Sequence, residues 1–307
     1  MKLNKSFASL LTILGISGIL FFVACKKSGN SGSSTNTGND NNNAAALSAN
    51  GASADNAFDD ALNVTIETNE GYNLNSFINQ GKTGSTITNG TGGSNNVLGA
   101  YYCASVTVMP ADTVTYPKTI TVNFGSGCTS ADSIVRSGSF TYTLSERFRN
   151  PGAVITVTFN NYVVNGYGLA GTYTVTNNSS LTAGVVYTTA VTNGVITYPN
   201  DTSYSFTGTK TVTQTAGIGS TNLASYVFSV VGNWTITNNA TGETLTANVT
   251  TPLEKEETCP YIVSGVDAFT YTNGSIKING TFDFGTGSCD DTATVTIGSY
   301  TGTVTLH

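Results

Sequence analysis

Charged residues are scarce in this sequence. Lys, Arg, Asp and Glu make up 10% of the 307 residues, against about a quarter in an ordinary globular protein. The 12 basic residues are scattered, and the formal net charge is -6 at pH 7. Because nucleic acid binding depends on clustered basic side chains that neutralise phosphates, we expect no nucleic acid partner.

Histidine is also nearly absent, and this limits the chemistry that the chain can perform. The only histidine is His307, so a Ser-His-Asp triad is not expected. We predict no catalytic residue, cofactor or metal site, and therefore no enzyme. A carboxylate-dependent glycan hydrolase is the remaining catalytic alternative, and it requires two carboxyl groups in one cleft. Its candidate groups lie in predicted turns and strand ends: Glu146, Glu254, Glu256, Glu257, Asp283, Asp290 and Asp291.

Residues 1–24 have the pattern of a lipoprotein signal peptide. Lys2 and Lys5 precede an apolar run, and Ala24 stands before Cys25 as the small residue of a cleavage site. The stretch resembles a signal peptidase II lipobox, which implies that Cys25 becomes the acylated N-terminus. More than one acyl chain holds a protein stably on a membrane. An uncleaved transmembrane helix is the alternative, since the run approaches spanning length.

Polar residues dominate the segment that follows the leader. Residues 25–50 are rich in Ser, Gly, Asn and Thr. This composition buries too little apolar surface to fold, so we predict a disordered tether. Residues 70–98 have a similar composition and are predicted to form a long loop. The folded domain is therefore expected to occupy residues 51–307.

A short helix is predicted at the start of that domain, from Ser53 to about Thr65. Small and large apolar residues recur there at helical spacing, and Ser53 and Asp55 suit the first turn of a helix. Asp59 and Asp60 are adjacent in this segment and point in different directions on a helix. We interpret them as part of a solvated face.

The remainder of the chain has the alternation of antiparallel strands. Apolar residues recur with period two, and Thr, Ser or Asn stand between them, which indicates a sheet with one buried and one hydrated face. Asn-Gly pairs between the runs favour tight hairpins. We predict an all-β fold, an antiparallel meander forming either a curved sheet or a β-sandwich. Typical inward positions are Ile120, Val122, Phe124, Phe140, Tyr142, Leu144, Ile155, Val157 and Phe159.

A duplicated unit contains the remaining cysteines. The residues from Asn123 to Cys128 are echoed from Asp283 to Cys289, and another cysteine lies upstream of each copy. The two units span about residues 100–145 and 259–307. Three pairings are possible, and the repeat favours two bonds in an exported chain, Cys103 with Cys128 and Cys259 with Cys289. The glycines are predicted to serve a tight turn with positive φ.

Several stretches resemble a group of uncharacterised Bacteroidetes lipoproteins. They are residues 102–104, 116–120 and 124–128, and the Pro151-Gly152 pair that leads into the strand 155–159. The resemblance covers most of the chain beyond the helix and implies an outer-membrane lipoprotein that faces the periplasm or the surface. It implies no particular activity.

Three tripeptides resemble the Asp, Ser or Thr, apolar sequon that Bacteroidetes use for periplasmic O-glycosylation. They begin at Asp112, Asp132 and Asp291, and they predict modification of Thr113, Ser133 or Thr292. Two of the three lie at the same place in the duplicated unit.

The expected function is therefore binding or structural. The first hypothesis is a non-catalytic domain that binds a glycan or an envelope protein, with Tyr167, Tyr187 and Tyr204 as candidates for stacking on sugars. Ordinary half-buried strand positions are the alternative for these three residues. The second hypothesis is a lipid or hydrophobe carrier, which requires an uncovered apolar face on a curved sheet.

The lipid anchor can be tested at its one acceptor residue. We expect metabolic labelling with an alkynyl fatty acid to mark the wild-type chain and to leave Cys25→Ala unmarked, because the thiol is the site of acylation. Lys26→Ala, directly beside it, is the matched control and should keep the label. Equal labelling of Cys25→Ala would contradict the predicted anchor.

Overall fold

The described chain forms one antiparallel sheet and one helix. The computed structural model describes residues 37–66, 68, 103–112, 114–130, 132–180, 184–220, 222–259, 261–298 and 300–305. The helix is α1 (Thr37–Ile66), and a 3-10 turn occupies Leu223–Ser225. The strands are β1 (Ser105–Met109), β2 (Lys118–Thr129), β3 (Val135–Leu144), β4 (Val154–Val164), β5 (Tyr167–Asn177), β6 (Val186–Thr197), β7 (Ser203–Ala216), β8 (Val227–Asn238), β9 (Thr244–Glu256), β10 (Ile262–Asn273), β11 (Ile276–Thr286), β12 (Thr292–Ile297) and β13 (Tyr300–Thr305).

The sheet is a meander in which spatial order follows chain order. All 13 strands belong to one sheet, and each pairs antiparallel with the next along the chain. The all-β prediction is confirmed, and a single curved sheet replaces the choice between curved sheet and sandwich. Among the described helical residues, none forms an apolar stretch long enough to cross a membrane.

The sheet curls around α1. Six consecutive residues, Ala57 to Leu62, are buried, and six residues exceed the 3.6 of one helical turn. Every side of the helix is therefore covered at this level. Its contacts run from β4 to β11. Phe58 lies at the centre, with its ring 5.6 Å from that of Phe159 and 5.8 Å from that of Phe206.

Bulges produce this curvature. Each neighbouring pair from β2–β3 to β10–β11 contains a register shift, and a bulge bends its strand and increases its twist. Glycine is required where the bent strands approach closely. A Cβ atom at Gly171 would collide with the carbonyl oxygen of Asn193, and one at Gly232 with that of Thr209.

Both predicted disulfides are confirmed. Cys103 bonds Cys128 across 25 residues, and Cys259 bonds Cys289 across 30 residues. In the chain-entropy account each would stabilise the fold by about 3–4 kcal/mol. Cys103 precedes β1 and Cys128 lies near the end of β2. Cys259 precedes β10 and Cys289 follows β11.

The glycine segment of the duplicated unit has the same local geometry in both copies, but it is a bulge within β2 and within β11 and not the predicted tight turn. The backbone N–H of Gly125 donates to Asn123 Oδ1 at 2.8 Å, and that of Gly285 donates to Asp283 Oδ1 at 2.9 Å. Both glycines have positive φ, as the sequence predicted. The echo then diverges in structure, because Gly138 lies inside β3 whereas Gly298 forms the turn between β12 and β13.

The helix is longer than the sequence predicted. It begins at Thr37 and not at Ser53, so residues 37–50, predicted as tether, are helical. Ala44, Ala45 and Leu47 of this segment are buried. Near its start Asn43 Nδ2 donates to Glu243 Oε1 at 3.0 Å. The predicted disorder was wrong here because packing inside the sheet compensates for a weak intrinsic helix propensity. The predicted loop 70–98 lies outside the described residues.

Gly51→Ala tests the close approach of α1 to the sheet. A Cβ atom at Gly51 would overlap the indole of Trp234. Ala favours a helix over Gly by about 1 kcal/mol, but overpacking costs about 1–3 kcal/mol, so we expect a net loss of about 1–2 kcal/mol in denaturant titration. Asn42→Ala, at an exposed position of the same helix, is the control and should be neutral or slightly stabilising. A Gly51→Ala protein more stable than the parent would show that the indole can move aside.

Candidate functional site

Charged side chains of α1 point into the interior and meet partners on the sheet. Arg136 of β3 is 1% exposed. Its Nη2 lies 2.5 Å from Asp60 Oδ1 and 2.8 Å from Asp132 Oδ2, and its Nε donates to Asp60 Oδ2 at 3.0 Å. Tyr162 donates its hydroxyl to Asp60 Oδ2 at 2.7 Å.

This arginine cluster is saturated. Nη1 of Arg136 donates to Ser130 Oγ and to Asp132 Oδ1, so each nitrogen of the guanidinium has an acceptor. A buried, bidentate pair of this kind fixes geometry. A ligand would therefore find no guanidinium nitrogen that is free to donate a hydrogen bond to it. We assign the cluster to anchoring α1 against β3 and β4.

A second cluster, on the N-terminal side of the first along α1, lies at Lys210 of β7. The ammonium nitrogen lies 2.5 Å from Asp59 Oδ2 and 2.9 Å from Asp55 Oδ2. Tyr173 donates its hydroxyl to Asp59 Oδ1 at 2.8 Å. The prediction that Asp59 and Asp60 face solvent was wrong, because the sheet encloses the helix in both of the directions in which these carboxylates project. Their exposed fractions are 2% and 8%.

The protonation of this trio follows from burial and charge. Burial alone would lower the pKa of Lys210, but the two carboxylates raise it above its usual value, so the ammonium stays charged. Burial raises the pKa of Asp59 to about 7, and the ammonium opposes that rise. Two carboxyl groups share one cation, so one of them lacks a full counter-charge.

A cavity of about 100 Å³ adjoins the lysine cluster. It lies between α1 and the concave face of the sheet, and the helix contributes one face to it, namely Ser48, Ala52, Asp55 and Asn56. The sheet contributes Lys210 from β7, Trp234 from β8, Asp267 from β10, and Phe282 and Phe284 from β11.

Two glycines lie beside the cavity. Gly208 is paired with Trp234 and Gly232 with Lys210 across the β7–β8 ladder, and both glycines line the cavity. Neither glycine opens the sheet by itself, because a Cβ atom at Gly232 would collide with the carbonyl oxygen of Thr209 and one at Gly208 would lie 3.1 Å from Trp234 Cβ. The register shift between Val230 and Asn233 lies at the same point.

Asp267 is the unusual group of this site. It lies on the inward side of β10, two residues before the buried Phe269. Among the described residues, no donor reaches its buried Oδ1. Burial raises the pKa of Asp267 to about 7, while the backbone of Asn248 and the indole of Trp234 oppose the rise by donating to the carboxyl group. Such a perturbed group in a cavity is typical of a functional site.

The predicted tyrosines do not form a binding surface. Tyr187 is 1% exposed and Tyr204 9%, and Tyr167 is half-buried with its ring against Tyr198. Stacking of a sugar on Tyr187 or Tyr204 was therefore wrong, because both face the concave side of the sheet. No sequence signal distinguished these inward tyrosines from outward ones, since turns and bulges shift the alternation.

The predicted modification sites are surface positions where the structure describes them. Ser133 and Thr292 are exposed. The backbone N–H of Ile134 donates to Asp132 Oδ1, and Thr292 donates its hydroxyl to Asp290 Oδ1 at 2.6 Å. Cys25 and Thr113 lie outside the described residues. Glycosylation and acylation remain predictions.

The carboxyl groups suggested for a hydrolase do not meet at the cavity. Asp283, Asp290 and Asp291 are exposed, and Asp283 and Asp290 accept local hydrogen bonds from Gly285 and Thr292. The carboxyl groups near the cavity are instead Asp55, Asp59 and Asp267, of which Asp267 carried no motif in the sequence. Within the described ranges, no cluster of three or more His, Cys, Asp or Glu side chains could hold a metal ion.

Comparisons with protein-family models, with curated proteins and with solved structures give no match for this chain. The site is therefore interpreted from its own geometry.

Asp267→Asn tests the buried carboxyl group through stability. With a pKa near 7 when folded and about 3.9 when unfolded, Asp267 binds more protons in the folded state between pH 4 and 7. Its contribution to stability is full below about pH 4 and is lost as the pH rises to 7. We expect the stability of Asp267→Asn relative to wild type to increase across this range, by up to about 4 kcal/mol.

Denaturant titration of both proteins at pH 5 and pH 8 measures this difference, and other titrating groups cancel in the comparison. Asp283→Asn is the matched control, because Asn123 occupies the same position in the other copy of the duplicated unit. A difference between Asp267→Asn and wild type that is the same at both pH values would contradict the raised pKa.

Proposed function

We propose that this protein is a membrane-anchored envelope lipoprotein whose domain binds one small polar group in the cavity beside α1, without converting it. The anchor is the predicted acyl group on Cys25. The observation that carries the proposal is the cavity itself. It combines a mainly apolar wall with a few convergent polar groups, and this is the usual form of a small-molecule site.

The size of the cavity supports a small ligand. A cavity of about 150 Å³ holds a molecule of benzene, and the one described here measures about 100 Å³. It therefore suits a group of a few heavy atoms, such as one substituent of a terminal sugar or one side chain of an envelope protein. The remainder of such a ligand would extend along the open side.

The carrier hypothesis has less support. A lipid carrier needs an uncovered apolar face on the concave side of the sheet, and α1 covers that face from β4 to β11. The apolar residues of the helix and the strands are packed against each other, as Phe58 and Phe206 show. A long acyl chain could enter only if the helix left the sheet.

The single tryptophan provides a direct test. The chain has one Trp, and it lines the cavity, so ¹⁵N-Trp labelling of the full chain in detergent yields one indole resonance at the site. We expect at least one of four probes, namely glucose, N-acetylglucosamine, glucosamine and ethanolamine, to shift this resonance. Ligands of so few atoms should bind with dissociation constants of about 1 mM or weaker.

Two matched variants show whether the shift arises in the cavity. Val249→Phe fills it and should abolish the shift, because Val249 lines the space. Val231→Phe, at a position that is 41% exposed, should keep the response. If no probe moves the resonance, or if Val249→Phe responds like the parent, the proposed binding function is wrong.

A further inference from the structure

We propose that the group recognised by the cavity is a primary ammonium, bound by the carboxyl group of Asp267 and the indole face of Trp234. This inference rests on the proposed binding function and names the chemistry of its ligand. Asp267 and Trp234 both line the cavity, and the groups around it favour particular properties of the ligand.

The first property that the site favours is a hydrogen-bond donor on the ligand. Asp267 Oδ1 is buried and receives no hydrogen bond from the described residues. An ionised carboxyl oxygen is only an acceptor, and leaving one unsatisfied in the interior is costly. A ligand that donates a hydrogen bond to Oδ1 removes this cost. A quaternary ammonium has no N–H and would not remove it.

The second property that the site favours is a positive charge on the ligand. The ionisable groups around the cavity are Asp55 of α1, Lys210 of β7 and Asp267. Lys210 is already paired with Asp55 and Asp59, so its charge is compensated more than once. At a pH above the pKa of about 7 of Asp59 and Asp267, the four groups Asp55, Asp59, Asp267 and Lys210 together have a net charge of about -2. A cation is the ligand that this surplus favours.

Trp234 provides the remaining contact. It lines the cavity and is paired with Gly208 across the β7–β8 ladder. Trp is the aromatic side chain that attracts cations most strongly. The volume of about 100 Å³ suits an alkylammonium head. The same chemistry is found in free amines, in amino sugars and in the ethanolamine head of a phospholipid.

Binding of this kind is coupled to pH. The groups that face Asp267 are Asp55 from α1, the indole N–H of Trp234 from β8 and the backbone of Asn248 from β9. From β11 the neighbours are Phe282 and Phe284, which carry no charge. An ammonium would stabilise the ionised carboxyl group, so binding would release a proton and strengthen as the pH rises towards 8.

The Trp234 indole resonance of the full chain separates this inference from the proposed function. Ethanolamine and ethylene glycol form one matched pair, in which an ammonium replaces a hydroxyl. Glucosamine and N-acetylglucosamine form the second pair. We expect the cationic member of at least one pair to bind about tenfold or more tightly than its neutral partner at pH 8. Its affinity should fall about tenfold at pH 5.5. Preference for ethanolamine over glucosamine would indicate a lipid or free-amine source, and the reverse an amino sugar.

Two further arms make the test decisive. Asp267→Asn should weaken binding of the amine about tenfold and remove its pH dependence, while Asp283→Asn should leave both unchanged. Tetramethylammonium should bind more weakly than the preferred primary amine. If the neutral probes shift the resonance as strongly as the amines and without pH dependence, or if tetramethylammonium binds equally well, the ammonium assignment is overturned while the binding function stands. If no probe shifts the resonance, both proposals fail.

Discussion

The structure depends on burial of the carboxylates of α1 against two cations of the sheet. Arg136 pairs with Asp60 and Lys210 pairs with Asp59, at adjacent positions of one helical segment. Removing one partner of such a pair leaves an uncompensated buried charge and typically costs about 3–5 kcal/mol. The pairs therefore define where the helix lies and how it is rotated, since Leu or Ala side chains alone would tolerate a shift along the sheet.

Enclosure of the helix in turn requires a sheet that bends. A flat sheet could cover one side of α1, whereas six consecutive buried residues require strands all round. The bulges in successive strand pairs supply this curvature, and glycines such as Gly171 and Gly232 allow the bent strands to touch. The cavity beside Trp234 lies at one of these bulges, between Val230 and Asn233. The candidate site is therefore part of the same geometry that curves the sheet around the helix.

Regular strands and local turns were predictable. Alternation of apolar residues with Thr and Asn identified the inward positions of β2 to β4, and the repeat identified both disulfides and the positive φ at Gly125 and Gly285. These features depend on neighbours within a few residues or on a repeated pattern. The first half of α1 was missed because Asn, Gly and Ser form a helix there only inside the sheet, although Ala44 to Leu47 offered a weak signal.

The sequence by itself determined the strand content, the cysteine pairing and the turn chemistry, because these follow from side-chain periodicity and backbone freedom. Only the tertiary structure decided that Asp59 and Asp60 are buried, that Tyr187 and Tyr204 face inward, and that Asp267 meets Asp55 and Trp234 at a cavity. The curl of the sheet brings together residues more than 200 positions apart, from Asp55 to Asp267. No local pattern records such proximity, since it depends on the sum of many small bends.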